Sequence, residues 1–359
     1  MTIKTFQDKA RGCLMGGAIG DALGYPVEFI YSFDEIAAKY GTEGITDFDY
    51  GPLSDKNHGK AQISDDTQMT LYTAEGLLEA EKSGRPITQS ICNAYLAWYG
   101  RQVGKKIRIA YRSTLSDITE INQRRAPGNT CLSALCSIDN GREPNNASKG
   151  CGGIMRVAPI GIYGSYKWTL EKTAEIAGKA AEITHLHPLS TYASATLALI
   201  VQLCIETDVI NLGTFKEIVA RALSVMKQVF HNNAPSMDYF EKIILKAICH
   251  IDSQSPDWKI IENELGGGWV AEETLAIAIF SILRHFGDFS GTIISSVNHG
   301  GDSDSTGAVA GNIIGAITGY NTIPVKFTNN IQNPELILAF ADKLSKDVPN
   351  PSTQQNAEQ

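Results

Sequence analysis

The stretch "NHGGDSDSTGAVAGNIIGAITG", residues 298–319, joins a tight polar turn to an apolar helix and decides how this chain folds. Asp302 and Asp304 are separated by a single residue and lie among glycines and hydroxyl side chains. The run that follows is rich in Gly and Ala, as is the helix expected near the N-terminus. Because such small residues let two backbones approach closely, we expect these two helices to pack together.

Apolar residues recur at helical spacing through most of the chain. No series of short alternating strands with hairpin turns is visible, which argues against a β-sandwich or a doubly wound sheet. The sequence therefore predicts an all-α fold. The segments with the clearest helical period are 67–80, 87–100, 169–183, 190–205, 215–230 and 274–286.

The 359 residues exceed the length of one ordinary domain, yet no linker-like composition divides the chain. We expect a single domain over residues 1–345 and a disordered tail over residues 346–359, which end in NPSTQQNAEQ. Clusters of Gly, Pro and Asn predict loops at 41–60, 124–130, 140–153 and 264–268.

The charge balance disfavours several classes of partner. With 31 Lys and Arg against 39 Asp and Glu, the formal charge is −8, which gives no basic footprint for nucleic acid or an anionic membrane. No segment reaches the roughly 18 uninterrupted apolar residues of a membrane span. The seven cysteines form no CxxC pair or tight cluster. We expect a cytoplasmic protein that binds neither nucleic acid nor membranes.

The aspartates of residues 302–307 resemble the start of an EF-hand loop, but the twelfth position is Ile313 where a bidentate Glu is required. A second acidic stretch, "ISDDTQMTLY" at residues 63–72, precedes a helical pattern, with Ser64 as the expected N-cap and Asp65 and Asp66 in the first turn. Either acidic pair alone is explained by a helix dipole or a turn.

Taken together, the two stretches supply four carboxylates and two hydroxyls at two helix beginnings. Such a set can surround hard cations with oxygen ligands, whereas the same charges without a cation would repel one another. The sequence shows no convergent Cys and His set, which favours Mg²⁺ or Mn²⁺ over zinc.

Six stretches, in this order along the chain, resemble the signatures of the ADP-ribosylglycohydrolase family. They are GCLMGGAIGDALGYPVEF (12–29), ISDDTQMTLY (63–72), GCGGIMRVAPIG (150–161), ITHLHP (183–188), GGGWVAEETLAIAI (266–279) and NHGGDSDSTGAVAGNIIGA (298–316). The resemblance implies a compact orthogonal helical bundle with a centre of two divalent cations, Mg²⁺ or Mn²⁺. It also implies an enzyme that removes ADP-ribose from modified side chains.

The resemblance assigns roles to individual positions. The implied metal ligands are Ser64, Asp65, Asp66, Asp302, Asp304 and Ser305. Glu28 or a ligand carboxylate such as Asp304 is implied as the catalytic proton carrier; without the resemblance, Glu28 reads as an exposed loop carboxylate. The implied substrate-binding residues are Gly150, Gly152, Gly153 and His185, with Met155 and Arg156 shaping or supporting the pocket. Family members usually carry Asn at the position of Cys151.

Three further groups of residues have simpler explanations. His187 is expected to serve a turn, and the aromatic residues Tyr95, Trp98 and Tyr99 have the spacing of a core stripe. The basic residues, which predict a solvated face by default and an anion site as the alternative, are Arg101, Lys105, Lys106, Arg108 and Arg112.

We expect hydrolysis of ADP-ribosyl-arginine on a modified protein, since GGDSDSTG resembles the arginine-directed form of the motif. Such an enzyme would reverse a regulatory modification or give immunity to an ADP-ribosyltransferase toxin. The alternatives are hydrolysis of serine-linked or small-molecule ADP-ribosides, and a non-catalytic module that binds ADP-ribose or a partner protein.

Overall fold

Helices form nearly all the regular structure in the computed structural model, which describes residues 5–50, 59–231 and 233–346. Within these ranges no β-strand is present, and the only extended pairings are isolated bridges between Ala61 and Ile331 and between Gly150 and Val270. The predicted all-α fold is confirmed.

The α-helices, numbered in chain order, have the following bounds. They are α1 (Phe6–Gly24), α2 (Phe33–Tyr40), α3 (Asp65–Ser83), α4 (Ile87–Val103), α5 (Asn129–Asp139), α6 (Ala158–Lys167), α7 (Leu170–Glu182), α8 (Pro188–Glu206), α9 (Leu212–Val229), α10 (Ala234–Cys249), α11 (Asp257–Ile260), α12 (Ala271–Arg284), α13 (Phe289–Val297), α14 (Ser303–Thr318), α15 (Val325–Thr328) and α16 (Pro334–Leu344). All six segments with helical periodicity form helices, namely α3, α4, α7, α8, α9 and α12.

Helices α1 and α14 pack against each other through glycines, as expected from their composition. A Cβ added at Gly311 would lie 2.0 Å from the Gly16 carbonyl oxygen, so no side chain fits at this contact. The opposed pairs are Gly12 with Gly315, Gly16 with Gly311, and Gly20 with Gly307. The helices therefore run antiparallel, and the C-terminal end of α1 lies beside the N-terminal end of α14.

One hydrophobic core extends from Ala10 to Leu344 and includes the predicted aromatic stripe of Tyr95, Trp98 and Tyr99, all of which are buried. Helix α8 crosses this core and contacts α6, α7, α9, α12 and α14. Among the described residues α8 alone is long and apolar enough to cross a membrane, but 94% of its apolar window is buried inside the fold. Such burial is typical of a central core helix.

The last described helix closes the fold against the first. In α16, Asp342 accepts from Arg11 of α1, with 2.6 Å between Arg11 Nε and Asp342 Oδ1. The single-domain boundary at residue 345 stays a prediction. The expected disordered tail over 346–359 lies outside the described residues apart from Lys346.

Candidate active site

The beginning of α3 carries the first acidic pair. Ser64 caps the helix as predicted, since its Oγ accepts from the Asp66 amide at 3.2 Å. The buried Asp21 of α1 accepts from the amides of Ser64 at 2.9 Å and Thr67 at 3.0 Å. These bonds attach the start of α3 to α1 and leave Asp65 and Asp66, which are also buried, free to face the interior.

The beginning of α14 carries the second acidic pair. Asp302 is its N-cap and accepts from the Ser305 amide at 3.4 Å, while Asp304 accepts from the same amide at 2.9 Å. The preceding Gly301 has φ +148, and a Cβ there would lie 1.9 Å from the Gly267 carbonyl oxygen. The turn therefore needs glycine so that it can pack against the 266–268 loop.

The two helix beginnings meet although they are 239 residues apart in the chain, because the Ser305 hydroxyl donates to Asp66 Oδ2 at 2.8 Å. Glu28, which follows the short Tyr25–Val27 turn after α1, joins them. It is only 7% exposed and therefore is not an exposed loop carboxylate. Its Oε2 is buried and has no hydrogen-bond partner among the described residues.

These side chains share one cavity of about 650 Å³, a size suited to a nucleotide-like ligand. The lining residues that the sequence had singled out are Glu28, Asp65, Asp66, Gly150, Gly152, Met155, His185, Asp302, Asp304 and Ser305. The four metal-site aspartates, and Glu28, are therefore brought together in the folded chain. Their individual roles stay predictions.

The carboxyl groups of the pocket resist ionisation. Burial, followed by the neighbouring charge of Asp304, raises the pKa of Glu28 to about 11. Burial likewise raises the pKa values of Asp65, Asp66 and Asp304 well above their usual range, with further repulsion from their acidic neighbours. The strongest influences on the pKa values of Glu28, Asp66 and Asp304 include no Lys or Arg, although Arg124 lines the same cavity. A counter-charge from outside the chain would stabilise the ionised forms.

The donor set fits a hard divalent cation, because every inward-facing group of the two helix beginnings is a carboxylate or hydroxyl oxygen. Within residues 5–50, 59–231 and 233–346, no three His, Cys, Asp or Glu side chains lie close enough together to hold a metal ion as they stand. The carboxylates instead line the walls of the shared cavity. The unpartnered Glu28 Oε2 at the edge of that space also calls for a polar or charged ligand.

Two predicted substrate-binding residues do not line the cavity. Gly153 faces α8, where an added Cβ would lie 2.2 Å from Ser190 Oγ. Arg156 is fully buried, and its guanidinium lies over the Tyr95 ring at 4.3 Å. Gly153 ends the short 3-10 turn over Cys151–Gly153 and Arg156 follows it, and both residues face the core, so they support the pocket from behind without lining it.

Arg156 nevertheless positions a pocket residue. It donates to Thr184 Oγ1 at 2.6 Å, and that hydroxyl lies 2.8 Å from His185 Nδ1. Burial and the nearby Arg156 charge lower the pKa of His185 to about 3, so its imidazole is neutral. His187 instead caps α8, with its Nδ1 accepting from the Leu189 amide at 3.1 Å, which confirms the predicted turn role.

Several pocket residues were missed by sequence reasoning. The Gly128 amide donates to Asp65 Oδ2 at 3.3 Å, and Ala126, in the same loop, has φ +47, an unusual conformation for a residue with a Cβ. Phe29 and Trp269 stack at 6.1 Å at the exposed rim. The sequence predicts residues 124–130 only as a loop, and the family-like GGGWV motif assigns no role to Trp269.

The basic residues lie elsewhere. Arg101, Lys105, Lys106 and Arg112 line a separate cavity at the end of α4, together with the carboxylate of Asp117. None of them lines the acidic pocket. Their exposure fits the predicted solvated face.

The fold and pocket define an all-α protein with a buried acidic cavity, and comparison with known proteins identifies its family. The sequence pattern of the ADP-ribosylglycohydrolase family matches residues 2–353. This chain therefore belongs to the ADP-ribosylglycohydrolase family, whose enzymes hydrolyse glycosidic ADP-ribose linkages and generally depend on divalent metal ions.

Two relatives and one solved structure show the extent of the similarity. The chain is 26% identical to the ADP-ribosyl-[dinitrogen reductase] glycohydrolase of Rhodospirillum rubrum, with 90% of each chain covered. It is 24% identical to ADP-ribosylhydrolase ARH3 of Bos taurus, covering 94% of this chain and 92% of that protein. A solved ADP-ribosylglycohydrolase-related protein complex shares the fold, with a TM-score of 0.62, 23% identity and coverage of 96% and 99%.

Proposed function

We propose that this chain uses two divalent cations, Mg²⁺ or Mn²⁺, to remove ADP-ribose from arginine side chains of a modified protein. The observation that carries the proposal is the meeting of two acidic helix beginnings, at Asp65–Asp66 and Asp302–Ser305, in one buried pocket with Glu28. Burying so many carboxyl groups without bound counter-charges costs free energy in the isolated protein. A cation-dependent enzyme needs these carboxylates as ligands, and the bound cations supply the counter-charge.

The cations would be held by Ser64, Asp65, Asp66, Asp302, Asp304 and Ser305, whose donor atoms are all oxygen. When bound, divalent cations can orient the ribose diol and acidify water. The chain would fix their ligands before the substrate arrives, because Asp21 anchors α3 and the glycine contacts anchor α14. Such preorganisation reduces the rearrangement needed during the reaction.

Breaking the bond between ribose C1 and a nitrogen leaving group requires a proton for the nitrogen and a water for C1. We propose Glu28 as the residue that carries the proton, since its Oε2 is buried, unpartnered and part of the pocket wall. Asp304 would hold its place among the acids through the Ser305 amide and serve as both ligand and alternative proton acceptor. The neutral His185, fixed by Thr184, would contact the nucleotide part of the substrate.

The rim of the pocket supports arginine as the modified residue. Phe29 and Trp269 stack at the mouth, and Tyr31 lies 6.4 Å from the same Trp269 ring. These rings are 57%, 37% and 72% exposed respectively, so their faces remain open to a ligand. A guanidinium group stacks well on aromatic faces, and its positive charge suits the acidic pocket below.

The decisive experiment compares synthetic peptides that carry ADP-ribose on arginine, serine or cysteine. Each would be incubated with Mg²⁺, Mn²⁺ or EDTA, and free ADP-ribose would be separated by chromatography. We expect release from the arginine peptide, dependence on the metal, and a larger loss on arginine than on serine for Trp269→Ala. Metal-independent release, or a preference for serine, would contradict the proposal.

The physiological context follows from the substrate. One relative is named for the modified enzyme on which it acts, dinitrogen reductase, which supports a modified protein as the substrate here. Reversal of a regulatory modification is our first proposal, and immunity to an ADP-ribosylating toxin is the second. A purely ADP-ribose-binding role is less well supported, because all six expected oxygen ligands are present. A cytoplasmic location stays a prediction.

A further inference from the structure

We infer that Cys151 is a positioning residue that orients Asp302 for metal binding. The inference rests on the proposed function, because it assumes that Asp302 binds a divalent cation. It concerns the position at which this chain departs from the Asn typical of the family. The thiol would thus perform, in this chain, the task of holding a ligand carboxylate in a fixed orientation.

The contact between the two side chains is direct. Cys151 Sγ lies 2.8 Å from Asp302 Oδ2, with the thiol as donor. The other carboxylate oxygen, Oδ1, accepts from the Ser305 amide at 3.4 Å. Each oxygen therefore has its own donor, and the plane of the carboxylate is defined from two sides. Groups that hydrogen-bond a metal ligand in this manner fix its orientation and tune metal affinity.

The backbone explains why these two residues face each other. The Cys151 amide donates to the Trp269 carbonyl at 3.1 Å, and the Asp302 amide donates to the Gly267 carbonyl at 2.8 Å. The 267–269 segment thus lies between the two residues and sets their register. Gly268 has φ +74, and a Cβ on it would lie 2.6 Å from Thr306 Cγ2, so the segment follows its path only with glycine there.

A second feature indicates that the neighbourhood receives a ligand. Glu28 Oε2 has no partner among the described residues, although Glu28 is more than nine-tenths buried and lines the same cavity as Cys151 and Asp302. Buried polar atoms are normally satisfied. The thiol contact therefore belongs to a pocket in which the carboxylate of Glu28 has a buried oxygen without a hydrogen-bond partner.

The test measures metal affinity without turnover. Mn²⁺ and Mg²⁺ would be titrated calorimetrically into the wild type, Cys151→Ala, Cys151→Val and Cys151→Ser. The Ala and Val variants remove the donor, and we expect their dissociation constants to rise by about 10-fold to 100-fold. Ser keeps a donor at nearly the same place, and we expect it to restore affinity close to that of the wild type.

A matched control is Cys92→Ala, which removes a half-buried thiol of α4 that does not line the pocket. We expect it to bind metal like the wild type. Melting curves in EDTA would show that each variant is folded, and the two donor-free variants guard against one of them failing to fold.

The other outcomes overturn the inference in distinguishable ways. Equal affinities for all Cys151 variants would show that the thiol does not position Asp302. Loss of affinity in Cys151→Ser, together with a thiolate-to-metal charge-transfer band when wild-type protein binds Co²⁺, would make Cys151 a direct ligand. Failure of the wild type to bind any divalent cation would instead reject the proposed function on which the inference rests.

Discussion

Carboxylates begin helices in two places in this molecule, at the half-buried Asp257 and at the buried acids of the pocket, yet their surroundings are opposite. Asp257 begins α11 and accepts from Arg284 Nε at 3.0 Å, His285 Nε2 at 2.6 Å and Ser295 Oγ at 2.7 Å. Burial alone would raise its pKa, but the bonds from His285 and Ser295 and the charge of Arg284 outweigh burial, so the pKa lies below its usual value.

The acids of the pocket accept hydrogen bonds from amides, a hydroxyl and a thiol, and none from Arg, Lys or His within the described residues. Asp66 accepts from the Ser305 hydroxyl, but its pKa is raised by burial and by neighbouring carboxylates. A helix N-terminus therefore does not by itself determine whether an acid is structural or functional. A structural acid has its counter-charges within the chain, whereas these acids need one from elsewhere, which is the physical signature of a binding site.

The largest effect is expected from replacing an acid of the pocket, which tests whether that acid serves binding and catalysis. Asp304→Asn should lower kcat/KM by about 10²-fold to 10⁴-fold, because it removes a ligand and a proton acceptor. In EDTA the same variant should melt at or above the wild-type temperature, since it relieves repulsion among buried acids. A large loss of stability in EDTA would mean that Asp304 is a structural acid like Asp257.

The second prediction separates the scaffold from the site. Gly311→Val inserts a side chain where a Cβ already lies 2.0 Å from the Gly16 carbonyl. We expect a loss of at least about 3 kcal/mol in the free energy of unfolding, because the backbones must move apart. Urea denaturation measures it, with Gly213→Ala as the control, since no backbone atom is close to that position. Equal stability of the two variants would disprove the glycine packing.

The third prediction uses the metal itself. Addition of Mg²⁺ or Mn²⁺ at about 100 times its dissociation constant should stabilise the wild type by about 2.7 kcal/mol. Asp257→Asn should gain the same amount, because the hydrogen-bond partners of Asp257 are Arg284, His285 and Ser295, none of which is a proposed metal ligand. Asp304→Asn should gain little, and differential scanning calorimetry with and without metal checks all three proteins.

The smallest effect is expected from replacing Asp257, which tests whether this acid stabilises the fold. Asp257→Asn should destabilise the protein by about 1–3 kcal/mol near neutral pH, since it removes charged hydrogen bonds. The folded-state pKa of Asp257 is depressed, so its contribution is present above the unfolded value of about 3.9 and is lost as the pH falls through the folded value. The difference between variant and wild type should therefore shrink below about pH 4. A difference that grows in acid would contradict the assignment.

Much of the fold could be predicted because its signals are local. Helical period identified α3, α4, α7, α8, α9 and α12, and Ser64 was recognisable as a cap from the residues beside it. The oxygen-rich motifs also predict Mg²⁺ or Mn²⁺, which stays a prediction. These features depend on atoms within one or two helical turns, so the linear order of residues is enough to reveal them.

The composition of the pocket depends on distant contacts and could not be derived in the same way. Folding turned Gly153 and Arg156 toward the core, brought Trp269 to the rim and set Cys151 against Asp302. Periodicity and capping signals contain no information about which of two adjacent residues in a glycine-rich turn faces a cavity. That choice depends on contacts between distant parts of the chain, such as the packing of α1 on α14 and the bond from the Cys151 amide to the Trp269 carbonyl.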